Sequence, residues 1–529
     1  MKSAQVVAGA ATVTLLAITA CGTAKQHDSK SGSKLVNGRA FTMAVDTDLG
    51  SLNPYTTVLA TTNVFDQFLY DSLTNGDAAG NTVPNLAQSF KSDLTTATFV
   101  LKPGITCPGG ETLKASDVAA VFNWVATPAN KASILGQTVQ VGTKASADDA
   151  TRTVTVHSGK PDAFLLDNLG SVPIACRSGL ANPKLLAAGK AGTGQYAVTE
   201  MVSGDHYTLT RRPDYDWGPG DWKKDQPGLP VKLTARVLAN ATTTANLLLS
   251  GELNYASISG PDQKRVAAQK NLLQVKDWNT EGELYFNQAD GHPGKDPLVR
   301  KALTMALDLN QIGKVLTSGE GKPLDQMLAS HTPEICPGNT TDGNLPGTDV
   351  AAAKALLDQA GWLVGPDGTR RKNGVSLSLG IPHFTSPGQQ TQAVELIQQQ
   401  LKAVGAKSAP KPGDGVAFNS VLTSGGWDLA FVGLTEILPT SLVPFFSGPN
   451  FTQGGNNIGS VHNAEYDQLV KQASSIAGKA SCPLWNKAES ALIKALDVVP
   501  FYLLPSITFG NGATFSSVQF PWSIRMTAN

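Results

Sequence analysis

Between residues 98 and 505 the sequence switches repeatedly between two hydrophobic periods, and this alternation limits the architectures open to it. Runs with two-residue alternation or β-branched enrichment read as strands: TFVLK (98–102), TVTVH (153–157), HYTLTRR (206–212), LTARVLA (233–239), LYFNQ (284–288), VSLSLGI (375–381), DLAFVG (428–433) and VPFYLLP (499–505). Runs with apolar residues at i, i+3 and i+4 lie between them and read as helices: 114–126 with Ser116 as candidate N-cap, 297–316 with Pro297 in its first turn, 348–361, 391–405, 463–477 and 482–496. Gly361 and Gly405 close two of these helices. The expected fold class is mixed α/β. No period of 20–50 residues recurs, which argues against a solenoid or propeller.

The N-terminus stands apart. Lys2 precedes an apolar run of 15 residues, Val6 to Ala20, which falls short of the about 20 needed to cross a bilayer. A cleaved export signal over 1–20 is therefore expected. The run ends Ile18-Thr19-Ala20-Cys21, which resembles a bacterial lipobox; that resemblance implies a lipid on the Cys21 thiol, holding a soluble body at the outer face of the membrane. The residues after it, GTAKQHDSKSGSK, have linker composition, giving a tether over 21–36. The remaining body is roughly 490 residues, more than one core of about 250–300 residues accommodates.

Lys+Arg and Asp+Glu both total 42, so net charge gives no electrostatic case for nucleic acid as a partner. Apart from Cys21 the cysteines are Cys107, Cys176, Cys336 and Cys482. In an exported chain an even number favours two disulfides, with three pairings open, and the absence of a CxxC pair argues against zinc or a redox centre. Gly192-Thr193-Gly194-Gln195-Tyr196-Ala197 fits a dinucleotide-binding fingerprint, but VTEMVSGDHYTLTRR follows it, which reads as a β-hairpin and leaves a phosphate no helix N-terminus. The histidines at 27, 157, 206, 292, 331, 383 and 462 are scattered singly, and G-x-S-x-G, H-E-x-x-H and phosphate-loop motifs are lacking. No catalytic residue, metal ligand or cofactor site is expected.

Several stretches, in order, resemble one family. SLNPYTTVLATTNVFDQFLYDSLTNGDAAGNTVPNLAQSF, TFVLKPGITCPGGETLKASDVAAVFNW, GTGQYAVTEMVSGDHYTLTRRPDYDW, ELYFNQ with DPLVRKALTMALDLNQI, the AGW at 360–362, WDLAFVG and VPFYLLP are similar to segments of the large peptide- and nickel-type extracellular solute-binding proteins of ABC importers. The resemblance spans nearly the whole body.

It implies a two-lobed, type II periplasmic-binding-protein-like fold that closes on ligand. The first lobe would use 37–285 and return at 500–529, with an added region at about 85–190; the second would use 286–499; LYFNQ and VPFYLLP would form the hinge. Bridges within lobes leave closure free, which favours Cys107–Cys176 and Cys336–Cys482. Peptide-binding members clamp the ligand amine with an Asp just after the strand resembling WDLAFVG. This chain reads Gly433-Leu434-Thr435-Glu436-Ile437-Leu438-Pro439 there, and Glu436 is the candidate clamp. Asp428 is expected to be structural, and Thr61, Thr62, Asn63, Trp427 and Tyr502 are weaker candidates for the cleft. Nickel ligation is disfavoured because no paired histidines accompany the resemblance. The implied partners are an oligopeptide, membrane permease subunits and, through the lipid, the membrane; a monomer is expected outside the cytoplasm. The alternatives are another solute on the same scaffold, such as a sugar, an opine-like compound or a signalling peptide, and, more distantly, a secreted hydrolase.

Overall fold

The computed structural model describes residues 34–528 except 58, 259, 329–333, 386–388 and 435–437. Cys21 and Glu436 lie outside the described residues. Among the described residues no helix is long and apolar enough to cross a membrane.

A nine-stranded mixed sheet runs through the molecule. Its main path is Leu429–Phe431, Leu273–Phe286, Val498–Gly510, Tyr255–Ser257, Ala40–Val45, Lys232–Val237, His206–Arg211 and Tyr196–Val202. The two long central strands pair antiparallel from Leu273↔Gly510 to Tyr285↔Val498, with the register shifting on both sides of Gly282. The fingerprint-like glycine segment leads into the Tyr196–Val202/His206–Arg211 hairpin, as its alternation predicts.

The apolar cores divide along this strand pair. One runs from Phe41 to Ala235 and resumes at Ala513–Met526, with a smaller cluster, Ala245 to Leu272, joined by Phe509. Beyond the register shift the core is built from residues 284–502, in clusters that receive opposite faces of one strand: Leu284 and Phe286 in one, Tyr285 in the other. This is the two-residue period of a strand covered on both sides. A four-stranded antiparallel sheet, Ala87–Ser92, Thr96–Leu101, Thr153–His157 and Lys144–Asp148, packs beside the Ala115–Val125 helix. Disulfides join Cys107 to Cys176 and Cys336 to Cys482.

Two helix expectations need correction. Ser116 does not cap its helix: its hydroxyl and amide both bond to Asp149, while the Asp117 carboxylate accepts the Lys114 amide at 3.0 Å. The single helix expected over 297–316 is two, Pro297–Ala306 and Leu309–Leu316, because Leu307 is extended and the Asp308 carboxylate caps the second by accepting the Gln311 amide.

Candidate functional site

The two bodies of core meet where residues 280–283 cross between them. Each inner position there is crowded by backbone from an element distant in sequence. A side chain at Gly433 would place its Cβ 2.3 Å from the Thr280 carbonyl oxygen, and one at Gly282 would meet Tyr502 at 2.8 Å. The Thr280 side chain is buried and its hydroxyl has no partner among the described residues. Glu283 is fully buried: its Oε2 accepts Tyr285 Oη at 3.0 Å and the Leu434 amide at 3.3 Å, and its Oε1 has no partner among the described residues. Burial pushes the Glu283 carboxyl up to about 8, against the lowering effect of those two donors. Burial also raises its half-buried neighbour Glu281.

A second seam joins the two bodies away from the strand pair. Phe164, beside Ala163, packs against Trp485 and the cysteines of the Cys336–Cys482 bridge, in a cluster that includes Leu438 and Ala473. The Gly478 amide donates to the Ala163 carbonyl at 2.6 Å, and Lys479 Nζ donates to the Gly80 carbonyl at 2.7 Å. Asp162 presets this segment, its carboxylate accepting the Phe164 amide and Asn168 Nδ2.

The residues singled out from the sequence do not converge on one point. Thr62 is buried and spends its hydroxyl on the Leu49 carbonyl at 2.7 Å, while Thr61 is half-buried and Asn63 is exposed. Trp427 is a core residue whose indole donates to the Leu422 carbonyl at 3.1 Å. Tyr502 lies on the central strand with its ring pressed on Gly313 of the Leu309–Leu316 helix, which leaves only its hydroxyl to reach Asn310 at 3.4 Å. Asp428 is a fastening carboxylate, accepting the Gly380 amide at 2.8 Å and lying 2.8 Å from His292 Nδ1. Hollows of about 540 Å³ and 150 Å³ flank His292, the smaller touching Trp427. Neither reaches the 280–283 crossing, and with Asp428 and Asn287 already satisfying the imidazole they are surface relief on the second body rather than the cleft.

Glu283 and Phe164 were missed from sequence. Glu283 had a weak signal, a lone acid heading the aromatic run ELYF. Phe164 had none, because its partners are more than 150 residues away. Among the described residues no group of three His, Cys, Asp or Glu side chains is placed to hold a metal ion.

The sequence profile of the bacterial extracellular solute-binding proteins, family 5, matches residues 81–457. The dipeptide-binding protein DppE of Bacillus subtilis is 24% identical over 467 residues, covering 82% of this chain and 80% of its own. Among solved structures, the oligopeptide-binding protein AppA of Bacillus subtilis, in complex with a nonapeptide, superposes with a TM-score of 0.72 at 18% identity, covering 94% of this chain and all of its own. A substrate-binding protein from Microbacterium hydrocarbonoxydans complexed with 4-hydroxybenzoate hydrazide superposes with a TM-score of 0.71 at 24% identity, covering 92% of this chain and all of its own. These likenesses identify the fold as two-lobed, type II periplasmic-binding-protein architecture.

Proposed function

We propose that this chain, which belongs to the bacterial extracellular solute-binding proteins, family 5, captures oligopeptides between its lobes and hands them to a membrane ABC permease. The observation that supports this reading most directly is the pattern of attachment. Two bodies of core share one antiparallel strand pair with an irregular register at Gly282, and elsewhere touch through small contacts: a seam of one aromatic side chain and two hydrogen bonds, and an exposed Lys264–Glu320 ion pair at 3.2 Å. A long pair of strands can flex at such an irregularity while a small seam opens and closes, which is what a hinge needs.

In this reading residues 37–285 with 500–529 form the first lobe, enlarged by about 85–190, and 286–499 form the second. A lipid on Cys21 holds the monomer outside the cytoplasm, and Glu436 meets the peptide amine. The family and the relatives named as binding proteins support a binding role without turnover. The hydrazide complex of the Microbacterium relative favours a second reading, a non-peptide solute in the same cleft.

Native mass spectrometry of the purified protein, with fragmentation of whatever leaves with it, tests the choice. A ladder of added masses resolving into short peptides is expected. A single non-peptide mass would retain the capture function and overturn the peptide assignment.

A further inference from the structure

On its second-body side, the seam between the two bodies is built at one place in the sequence. Gly478 and Lys479, which donate its two hydrogen bonds, stand in the turn Gly478–Ser481 that leads into the Cys482–Lys494 helix. Cys482 is the first residue of that helix, and Trp485 follows three residues on. The bridge to Cys336 therefore pins the same stretch that meets Ala163 and Phe164. At its other end, residues 334–339 form neither helix nor strand. Beside the bridge, Asn486 Nδ2 donates to the Pro337 carbonyl at 3.1 Å from an exposed position. Deeper in, the Glu489 carboxylate accepts the Met327 amide and the Thr340 hydroxyl, which holds the rest of the segment whether or not the bridge is intact. Access to the sulfurs is tied to the seam as well. Cys336 has no exposure and Cys482 is 9% exposed, and the apolar cluster that buries them takes Ala163 and Phe164 from the first body. An attacking thiolate must reach a bridge sulfur, so this bridge opens to it as the bodies part. Cys107–Cys176 differs, since both its cysteines lie in the core of the first body.

We propose that the Cys336–Cys482 bridge is a redox latch on the relative position of the two bodies. Oxidised, it holds the start of the Cys482–Lys494 helix and the 334–339 segment together as the surface on which Phe164 packs. Reduced by a dithiol, it frees that surface and the seam gives way, while the strand pair keeps the bodies joined. In the reduction a thiolate of the dithiol attacks one bridge sulfur, the S–S bond breaks and a mixed disulfide forms. The second thiol of the reductant then displaces it. Two electrons pass to the bridge, the dithiol leaves as its own disulfide, and one proton ends on each of Cys336 and Cys482. The device goes beyond solute capture and does not depend on which solute is carried.

Dithiothreitol tests this on the purified, solute-free protein under native conditions. Alkylation with iodoacetamide and peptide mapping identify which bridge has opened, and small-angle scattering reads the radius of gyration. Opening of Cys336–Cys482 is expected to enlarge the protein as much as Phe164→Ala does, and to add nothing in that variant. Phe164→Ala should also open the bridge about tenfold faster, because exchange follows the population of the parted form, with the rate at Cys107–Cys176 unchanged. An unchanged radius after Cys336–Cys482 opens would overturn the latch. So would a reduction rate indifferent to Phe164→Ala, or loss of the second core's melting transition on reduction, which would make the bridge a support of that core. Cys336→Ser combined with Cys482→Ser, with an unchanged melting profile, should have the radius of the reduced protein and should not respond to the dithiol. The chemical reduction decides the matter even where that variant does not fold.

Discussion

Buried charge decides the chemistry of individual residues in this fold. Asp66 closes the Ala60–Asp66 helix with both carboxylate oxygens unpartnered among the described residues, and burial lifts it to about 8. The folded chain therefore keeps a proton that the unfolded chain loses above about pH 4, so stability falls as pH rises from about 4 to 8 and the loss is complete beyond. Glu283 acts in the same direction. Asp66→Asn removes the titration, so calorimetry should find its melting point gaining steadily on the wild type's as pH rises from about 4 to 8; a difference independent of pH over that range would mean that Asp66 is ionised in the fold. Arg300 and Asp497 show the opposite case, a buried pair at 3.1 Å. Asp497→Ala leaves the guanidinium only carbonyl partners and should cost about 3–5 kcal/mol in urea unfolding.

The strands and helices were legible in proportion to how local their causes are. TVTVH is the strand Thr153–His157, and the hairpin after the glycine segment follows from its alternation. The start of the Ala115–Val125 helix was misread because Asp149, 33 residues on, draws Ser116 away from capping. LYFNQ was seen as a short strand, yet the strand is Leu273–Phe286, since its polar first half is held by pairing with Val498–Gly510 rather than by its own apolar pattern. Close contact between elements also sets a prediction. A methyl at Gly313 would lie 2.1 Å from Tyr502 Cδ2, so Gly313→Ala must push the Leu309–Leu316 helix off the central strand. A loss of about 1–3 kcal/mol in chemical unfolding is expected, and no loss would mean that this packing yields freely.

For the whole molecule the open question is how two bodies sharing one strand pair are held together. The Phe164 seam buries a single aromatic ring against the second body, with two hydrogen bonds beside it. That is enough to bias an equilibrium without locking it. Phe164→Ala should therefore increase the radius of gyration of the ligand-free protein in small-angle scattering while leaving the melting of each core unchanged. An unchanged radius would show that contacts other than this seam, the strand pair and the Lys264–Glu320 ion pair, fix the relative position of the bodies.

The sequence by itself determined the mixed α/β class and, through an ordered series of local segments, the family. Both are written in short-range patterns: hydrophobic period, turn residues and the spacing of motifs within each segment depend on near neighbours. The candidate site was far less legible. Trp427 and Tyr502 are aromatic and so were plausible cleft residues, but packing assigned them to cores. Only the tertiary structure decided that Glu283, Asp66 and Phe164 matter. Burial and an unmet hydrogen bond are properties of what surrounds a side chain, and those surroundings, Leu434 and Glu489 for Glu283 and Trp485 for Phe164, come from residues more than 140 positions away.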